Sequence, residues 1–277
     1  MPFTIQLLLS FLIFLVLYSI LINSIKSHQT KLYLKAIKDE PFPKAYLTIL
    51  EKIPHYKLLN KSDKEAIHYS IRRFLYIKKF KGQHITITDE MRLGIAFYAC
   101  LMVLRIPDEC YYPLRTIVVY PHPLIIDGQN SSGNSRHDFI LQGLSLGATM
   151  FITWNSAKKE IFKKSKHNVV IHELAHELDF ESGAFNGIPP LNSSKYHTFS
   201  KVIYKRFELL HKKIEKGRFI GKYKLLGDYA ATNEAEFFAV MSELYFERPN
   251  HLKHNFPDIY KVLNLFYQLN MAESLKE

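Results

Sequence analysis

Hydrophobic and polar positions divide the chain into two parts of different character. Residues 5–22 are apolar apart from Gln6, Ser10, Ser19 and the amphipathic Tyr18, and no charged side chain interrupts them. At about 1.5 Å per residue they make a helix about 27 Å long, close to the thickness of a bilayer core. Residues 2–22 hold no Lys or Arg and no A-x-A follows, unlike a cleavable leader. The expectation is an uncleaved transmembrane anchor over residues 1–25. Residues 26–43 turn polar and close on Pro41 and Pro43, as a linker would. Residues 44–277 then form the folded domain, long enough for a substantial core.

Within that domain the periodicity changes repeatedly. Ser62-Asp63-Lys64-Glu65 reads as a capping box that opens a helix running to about residue 80. Residues 84–88 alternate like a short strand, and residues 89–105 read as an apolar helix stopped before Pro107. Residues 115–120 and 148–154 are strand candidates, and 127–133, rich in Gly, Ser and Asn, read as a loop. The run 169–179 is mostly apolar, as a buried helix would be. Further helices are expected over 196–216, around Glu236 and over 257–269. The class is α+β, mainly helical, with a small sheet.

Composition narrows the partners. The formal net charge is +11 over 277 residues. The cations are scattered, and residues 158–166 are the only dense run, without an interleaving of aromatics suited to base stacking. Nucleic acid is therefore not an expected partner; contact with anionic lipid headgroups beside an anchored domain, or plain solubility, accounts for the charge. Cys100 and Cys110 are the only cysteines, too few for a stapled secreted scaffold. Lys26, Lys31, Lys35 and Lys38 follow the span and no cation precedes it. The positive-inside rule then places the domain in the cytoplasm.

The chemistry concentrates at His172-Glu173-Leu174-Ala175-His176, an H-E-x-x-H pattern. Histidines at i and i+4 stack on one helix face, so two imidazoles can grip one metal ion, with the intervening glutamate placed to act on a metal-activated water. Polar groups in so apolar a helix need partners or a metal. A third ligand is required. The pattern with a glycine and a third histidine downstream is excluded, because Asp179 and Ser182 occupy those positions. A carboxylate from another helix remains, with Asp228, Glu234, Glu236 and Glu243 as candidates. Asp179, one turn past His176, is a candidate to accept a histidine's second N–H. Glu177 and Glu181 are expected in solvent, and His28, His55, His68 and His122 in structural or surface roles.

Tyr229, Thr232 to Glu236 and Phe237-Phe238-Ala239 resemble the second zinc motif of the anthrax lethal factor protease domain. Together with the HELAHELD run they resemble the Mlc titration factor A family of bacterial zinc peptidases. Tyr112-Pro113, Val118-Val119-Tyr120-Pro121, Ile125-Ile126-Asp127 and Phe246-Glu247-Arg248-Pro249 fall in the family's order, and the resemblance covers about residues 44–270. It implies a zincin-like fold with one zinc ion held by His172, His176 and Glu236. It further implies Glu173 as general base and Tyr229 as a donor to the oxyanion. Glu236 lies two turns beyond Tyr229, so both would face one cleft if a single helix ran through them. Glu234, about 200° around that helix, would face away. The resemblance also implies a peptide or protein substrate pairing with 148–154 as an edge strand. The anchor departs from the soluble members of that family, and with the lysines after it the expected location is the bacterial inner membrane. The family takes its name from binding a transcriptional repressor, which implies a transcriptional regulator as an alternative partner.

Overall fold

The computed structural model describes residues 3–274, except 39, 107–109, 129–136, 142, 147, 218–220, 222, 224–225 and 228. The chain separates into two compact units, Met1–Pro43 and Lys44–Glu277.

The first unit is built on helix α1 (Phe3–Ala36). Residues 5–21 expose their side chains, and the most apolar stretch has a mean hydropathy of 2.7. The helix is long and apolar enough to cross a membrane. It continues to Ala36, through most of the stretch expected as a linker. The reason is local: residues 3–40 contain neither Gly nor Pro, so nothing breaks the helix before the prolines at 41 and 43.

The second unit runs α2 (Lys44–Leu50), α3 (Pro54–Lys57), α4 (Lys61–Ile77), β1 (Lys79–Gly82), α5 (Asp89–Met102), β2 (Thr116–Tyr120), β3 (Leu124–Gly128), β4 (His137–Leu141), β5 (Gly143–Leu146) and β6 (Thr149–Thr153). Then follow α6 (Trp154–Phe162), α7 (Val169–Phe180), α8 (Ser193–Glu215), a 3-10 turn (Tyr229–Ala231), α9 (Glu234–Glu247), α10 (Pro249–Asn255), α11 (Pro257–Tyr267) and α12 (Met271–Ser274). The class is α+β, mainly helical with a small sheet, as the periodicity predicts.

Several boundaries differ from the expectation. Helix α4 starts at Lys61 and is capped by Asn60, not by the Ser62 box, because the Asn60 side chain accepts from the Asp63 N–H at 2.9 Å. It ends at Ile77, since the next residues enter the sheet: β1 pairs in parallel with β2, Lys79 facing Thr116. The strand is therefore 79–82 and not 84–88. Asp127 and Gly128, expected in a loop, close β3, which pairs with β4 as a separate antiparallel ribbon. Residues 129–133 of that loop lie outside the described residues.

The four-stranded sheet has the order β1-β2-β6-β5, the first three parallel and β5 antiparallel to β6. Residues 148–154 were expected to give an edge strand. Instead β6 is paired on both sides, with β2 and with β5, so its backbone groups are already used. Strand β5 takes the edge next to it among the described residues. Both β2 and β6 alternate, burying Ile117, Val119, Met150 and Ile152. Helix α5, apolar on nearly every face, is buried along most of its length. Helix α7 packs against α5, α6, α9, β5 and β6, which makes it the central element of the domain.

Candidate metal centre

Helix α7 begins at Asn168, a fully buried residue whose four polar groups are all used. Its side-chain oxygen caps the helix by accepting from Ile171 N–H at 3.3 Å, and its carbonyl accepts from His172 N–H at 3.0 Å. Its own N–H donates to Glu243 Oε2 at 2.9 Å, and its amide donates to Glu247 Oε1 at 2.7 Å. The cap thus ties the start of α7 to the far half of α9. From there residues 169–179 are all buried, so α7 presents no face to water. Glu177, expected in solvent, is fully buried for this reason. Glu177 and Glu181 favour the charge on Lys78, whose pKa burial lowers to about 8 and whose ammonium donates to the Tyr111 and Leu114 carbonyls. Glu181 accepts from Tyr112 N–H at 2.8 Å.

The i, i+4 spacing brings the two imidazoles together as predicted, with ring centroids 4.9 Å apart. Glu236 reaches them from α9, whose first turn is set by Asn233 accepting from Glu236 N–H at 2.9 Å. The contacts are His172 Nε2 to Glu236 Oε2 at 3.0 Å, His172 Nε2 to His176 Nε2 at 3.2 Å, and His176 Nε2 to Glu236 Oε2 at 3.4 Å. A tetrahedral ion with bonds of about 2.0–2.1 Å sets its ligands about 3.3 Å apart. Two nitrogens and a carboxylate oxygen at these separations fit a zinc-sized ion, and these three residues could hold one.

Four carboxylates were candidates for the third position. Among the described residues Glu236 alone faces both histidine Nε2 atoms. Asp228 lies outside the described residues. Glu234 stands at the start of α9 beside the 183–188 turn, where its carbonyl limits the space over Gly187. Glu243 sits on the other side of His172: its Oε1 accepts from Nδ1 at 2.7 Å. Glu236 and Glu243 are seven residues apart, two turns on one face of α9, so one helix addresses both nitrogens of the same imidazole. That spacing was visible in the sequence, but only the packing of α9 on α7 reveals that the second carboxylate lies behind the histidine.

Asp179 also differs from its expected role. It is buried, and its Oδ2 accepts from Gly187 N–H at 2.9 Å, pinning the 183–188 turn. Its Oδ1 has no hydrogen-bond partner. Burial pushes its carboxyl up to about 6, against the opposing pull of Gly187 N–H and His176. His55, placed among the structural histidines, is buried between the Tyr98 hydroxyl and the Phe246 carbonyl, each at 3.0 Å.

Two further groups border the triad. Glu173 is 4% exposed, and its Oε2 is buried without a hydrogen-bond partner. Burial pushes its carboxyl up to about 7, although His172 and His176 pull the other way. Tyr229 is 55% exposed, with its ring 5.8 Å from that of His172. Partial burial and then the Glu236 charge raise its phenol, which stays protonated. Tyr229 lies on the 3-10 turn before α9, so no single helix runs through Tyr229 and Glu236 as the sequence suggested. The turn reaches the same site by a sharper path. Burial opposes the charges of His172 and Glu236, yet their mutual contact, with Glu243 behind, raises the imidazole and holds Glu236 well below the usual carboxylate range.

Comparison with known proteins identifies the family of the chain. The model of the glucose-regulated metallo-peptidase M90 family matches residues 26–268. An uncharacterized protein of Synechocystis, slr2042, is 30% identical over 244 residues, covering 85% of this chain and 87% of its own. The Mlc titration factor A of Serratia proteamaculans is 31% identical over 192 residues, covering 67% of this chain and 72% of its own. That of Yersinia pestis is 27% identical over 233 residues, covering 81% and 84%. With a match spanning most of its length, this chain belongs to the glucose-regulated metallo-peptidase M90 family.

Proposed function

We propose that the protein is a membrane-anchored, zinc-dependent peptidase that hydrolyses peptide bonds. The observation that carries this reading is the His172, His176 and Glu236 triangle with the unpartnered Glu173 Oε2 beside it. In this reading His172, His176 and Glu236 would hold one zinc ion. When bound, zinc lowers the pKa of a coordinated water toward about 7 and polarises the substrate carbonyl. Glu173 takes the proton of the attacking water and delivers it to the leaving amine; a carboxyl lifted toward neutrality is suited to both halves of that transfer. Tyr229, still protonated, donates to the developing oxyanion. Glu243 holds the His172 tautomer with Nδ1 protonated, which leaves Nε2 as the metal-binding nitrogen. An extended substrate would add to the sheet at β5, because β6 is paired on both sides.

The anchor is α1, and Lys26, Lys31, Lys35 and Lys38 after the span support a cytoplasmic domain at the bacterial inner membrane. Protease protection in inside-out vesicles tests this: the domain should be digested there and survive in intact spheroplasts.

The peptidase is tested by exposing the full chain to a fluorogenic peptide library beside Glu173→Gln, with zinc measured on both. Zinc in both and cleavage only by the unmodified protein is expected. Equal cleavage by the two would sink the proposal.

The relatives' name, Mlc titration factor A, favours a second role, the capture of a transcriptional regulator. Such capture would persist in Glu173→Gln and after chelation of the metal, and a pull-down with both forms separates it from hydrolysis.

A further inference from the structure

A second concave site lies away from the metal centre. Glu247 ends α9 eleven residues beyond Glu236, about 16 Å along the helix axis. Beside it opens a cleft of about 430 Å³, large enough for a small ligand. Leu58 and Pro249 contribute apolar wall, and Lys164, Arg248, Glu247 and His251 contribute polar groups. Two of these groups have chemistry to spare. Arg248 has no ion-pair partner among the described residues, and His251 Nε2 is shielded from water without a hydrogen-bond partner. Glu247, the one carboxylate of the wall, is already engaged by the Asn168 amide, and burial lifts its pKa to about 8. The free recognition chemistry is therefore the Arg248 guanidinium and the neutral His251 imidazole, next to apolar surface.

The cleft is also joined to the centre by an unbroken chain of hydrogen bonds. Asn168 Nδ2 donates to Glu247 at 2.7 Å, Asn168 N–H donates to Glu243 at 2.9 Å, and Glu243 accepts from His172 Nδ1 at 2.7 Å. Each link is a short bond to a carboxylate, so displacement of one end shifts the acceptor at the other. We propose that this cleft binds a small organic anion, a phosphate or carboxylate head on an apolar body, and that its occupancy is transmitted to His172 through Glu247, Asn168 and Glu243. The binding stands on the cleft alone; the transmission rests on the metal-centre reading above.

The test uses the full chain in detergent, with phenyl phosphate as probe and calorimetry as readout, in zinc-loaded and metal-free protein. Binding in both forms is expected, weakened about tenfold or more by Arg248→Gln and by Lys164→Gln, each losing a charged contact. Lys164 is exposed, so its variant folds even where the Arg248 change, at the α9–α10 junction, does not. Inorganic phosphate should bind more weakly than phenyl phosphate, since it lacks the apolar body. Transmission requires the two metal states to differ in Kd about fivefold or more, and zinc affinity to shift by the same factor when the probe is bound. Binding that vanishes with the metal and ignores both variants places the anion on the metal and overturns the proposal, as does no binding at all. Equal Kd in the two metal states overturns the transmission.

Discussion

Glu243→Gln isolates the group behind His172. The wild-type carboxylate is 7% exposed and accepts from two buried donors, His172 Nδ1–H at 2.7 Å and Asn168 N–H at 2.9 Å. A glutamine of the same shape has one acceptor oxygen, and its amide nitrogen can only donate. One of the two donors must lose its acceptor, and a buried donor left unpaired costs about 1–3 kcal/mol. If the amide nitrogen turns to His172, the cost falls on the metal site: imidazoles deprived of such a partner lose about 10–100-fold in affinity, or roughly 1.4–2.7 kcal/mol. If it turns to Asn168, the cost falls on the start of α7 and hence on folding. Zinc competition against a chromophoric chelator reads the first, and urea unfolding of metal-free protein reads the second. The expected result is a loss of about 1–3 kcal/mol in one or the other. A variant that holds zinc within twofold of wild type and unfolds at the same urea concentration refutes the reasoning, because the two acceptor bonds would then carry nothing.

Gly187 adopts φ +74, and a Cβ there would stand 2.4 Å from the Glu234 carbonyl oxygen, whereas at Gly183, with φ +86, it would meet nothing within 4 Å. Gly187→Ala should therefore lower thermal stability and zinc content by pushing on the first turn of α9, while Gly183→Ala shows only the left-handed strain of about 1–2 kcal/mol. Tyr229→Phe should reduce kcat about 10²–10³-fold with KM little changed, since the phenol acts on charge that develops only during reaction; steady-state kinetics on a cleaved peptide decide it. Glu247 has its pKa raised from 4.5 to about 8. The folded state therefore keeps a proton that the unfolded state has lost, so its contribution to stability is present below about pH 4.5 and falls as pH rises to about 8, by at most about 1.4 kcal/mol per pH unit. Glu247→Gln should flatten that decline, visible as a variant that gains on wild type in urea midpoint between pH 5 and pH 8.

The i, i+4 histidines were legible because helical period alone places them on one face, and that geometry survives in any surroundings. Glu236 was one of four carboxylates by chemistry, and it took the resemblance to rank it. Glu243 was in view but miscast: two turns along α9 predicts a shared face, not which nitrogen of His172 it meets, and that depends on how α9 crosses α7. Glu177 was misjudged for a related reason. A charged residue in a helix is usually placed on the wet side, but α7 has no wet side. The end of α4 was misread because its apolar pattern runs on into Phe80, while the backbone N–H of Lys79 is claimed by the carbonyl of Arg115, 36 residues away. Such competition between local pattern and distant pairing leaves no trace in a short window of sequence.

Asn168 saturates every polar group it has, and this bears on how the chain can drift in evolution. Aspartate there would keep the cap but lose the donor to Glu247 and add a negative charge beside that of Glu243; serine would keep the cap, and its backbone N–H would still meet Glu243, but its side chain would not reach Glu247. A change at 168 is tolerable only alongside a change at 247, a residue more than seventy positions away. Among relatives positions 168 and 247 should accordingly vary together, inherited as one unit even where the surrounding helices have diverged.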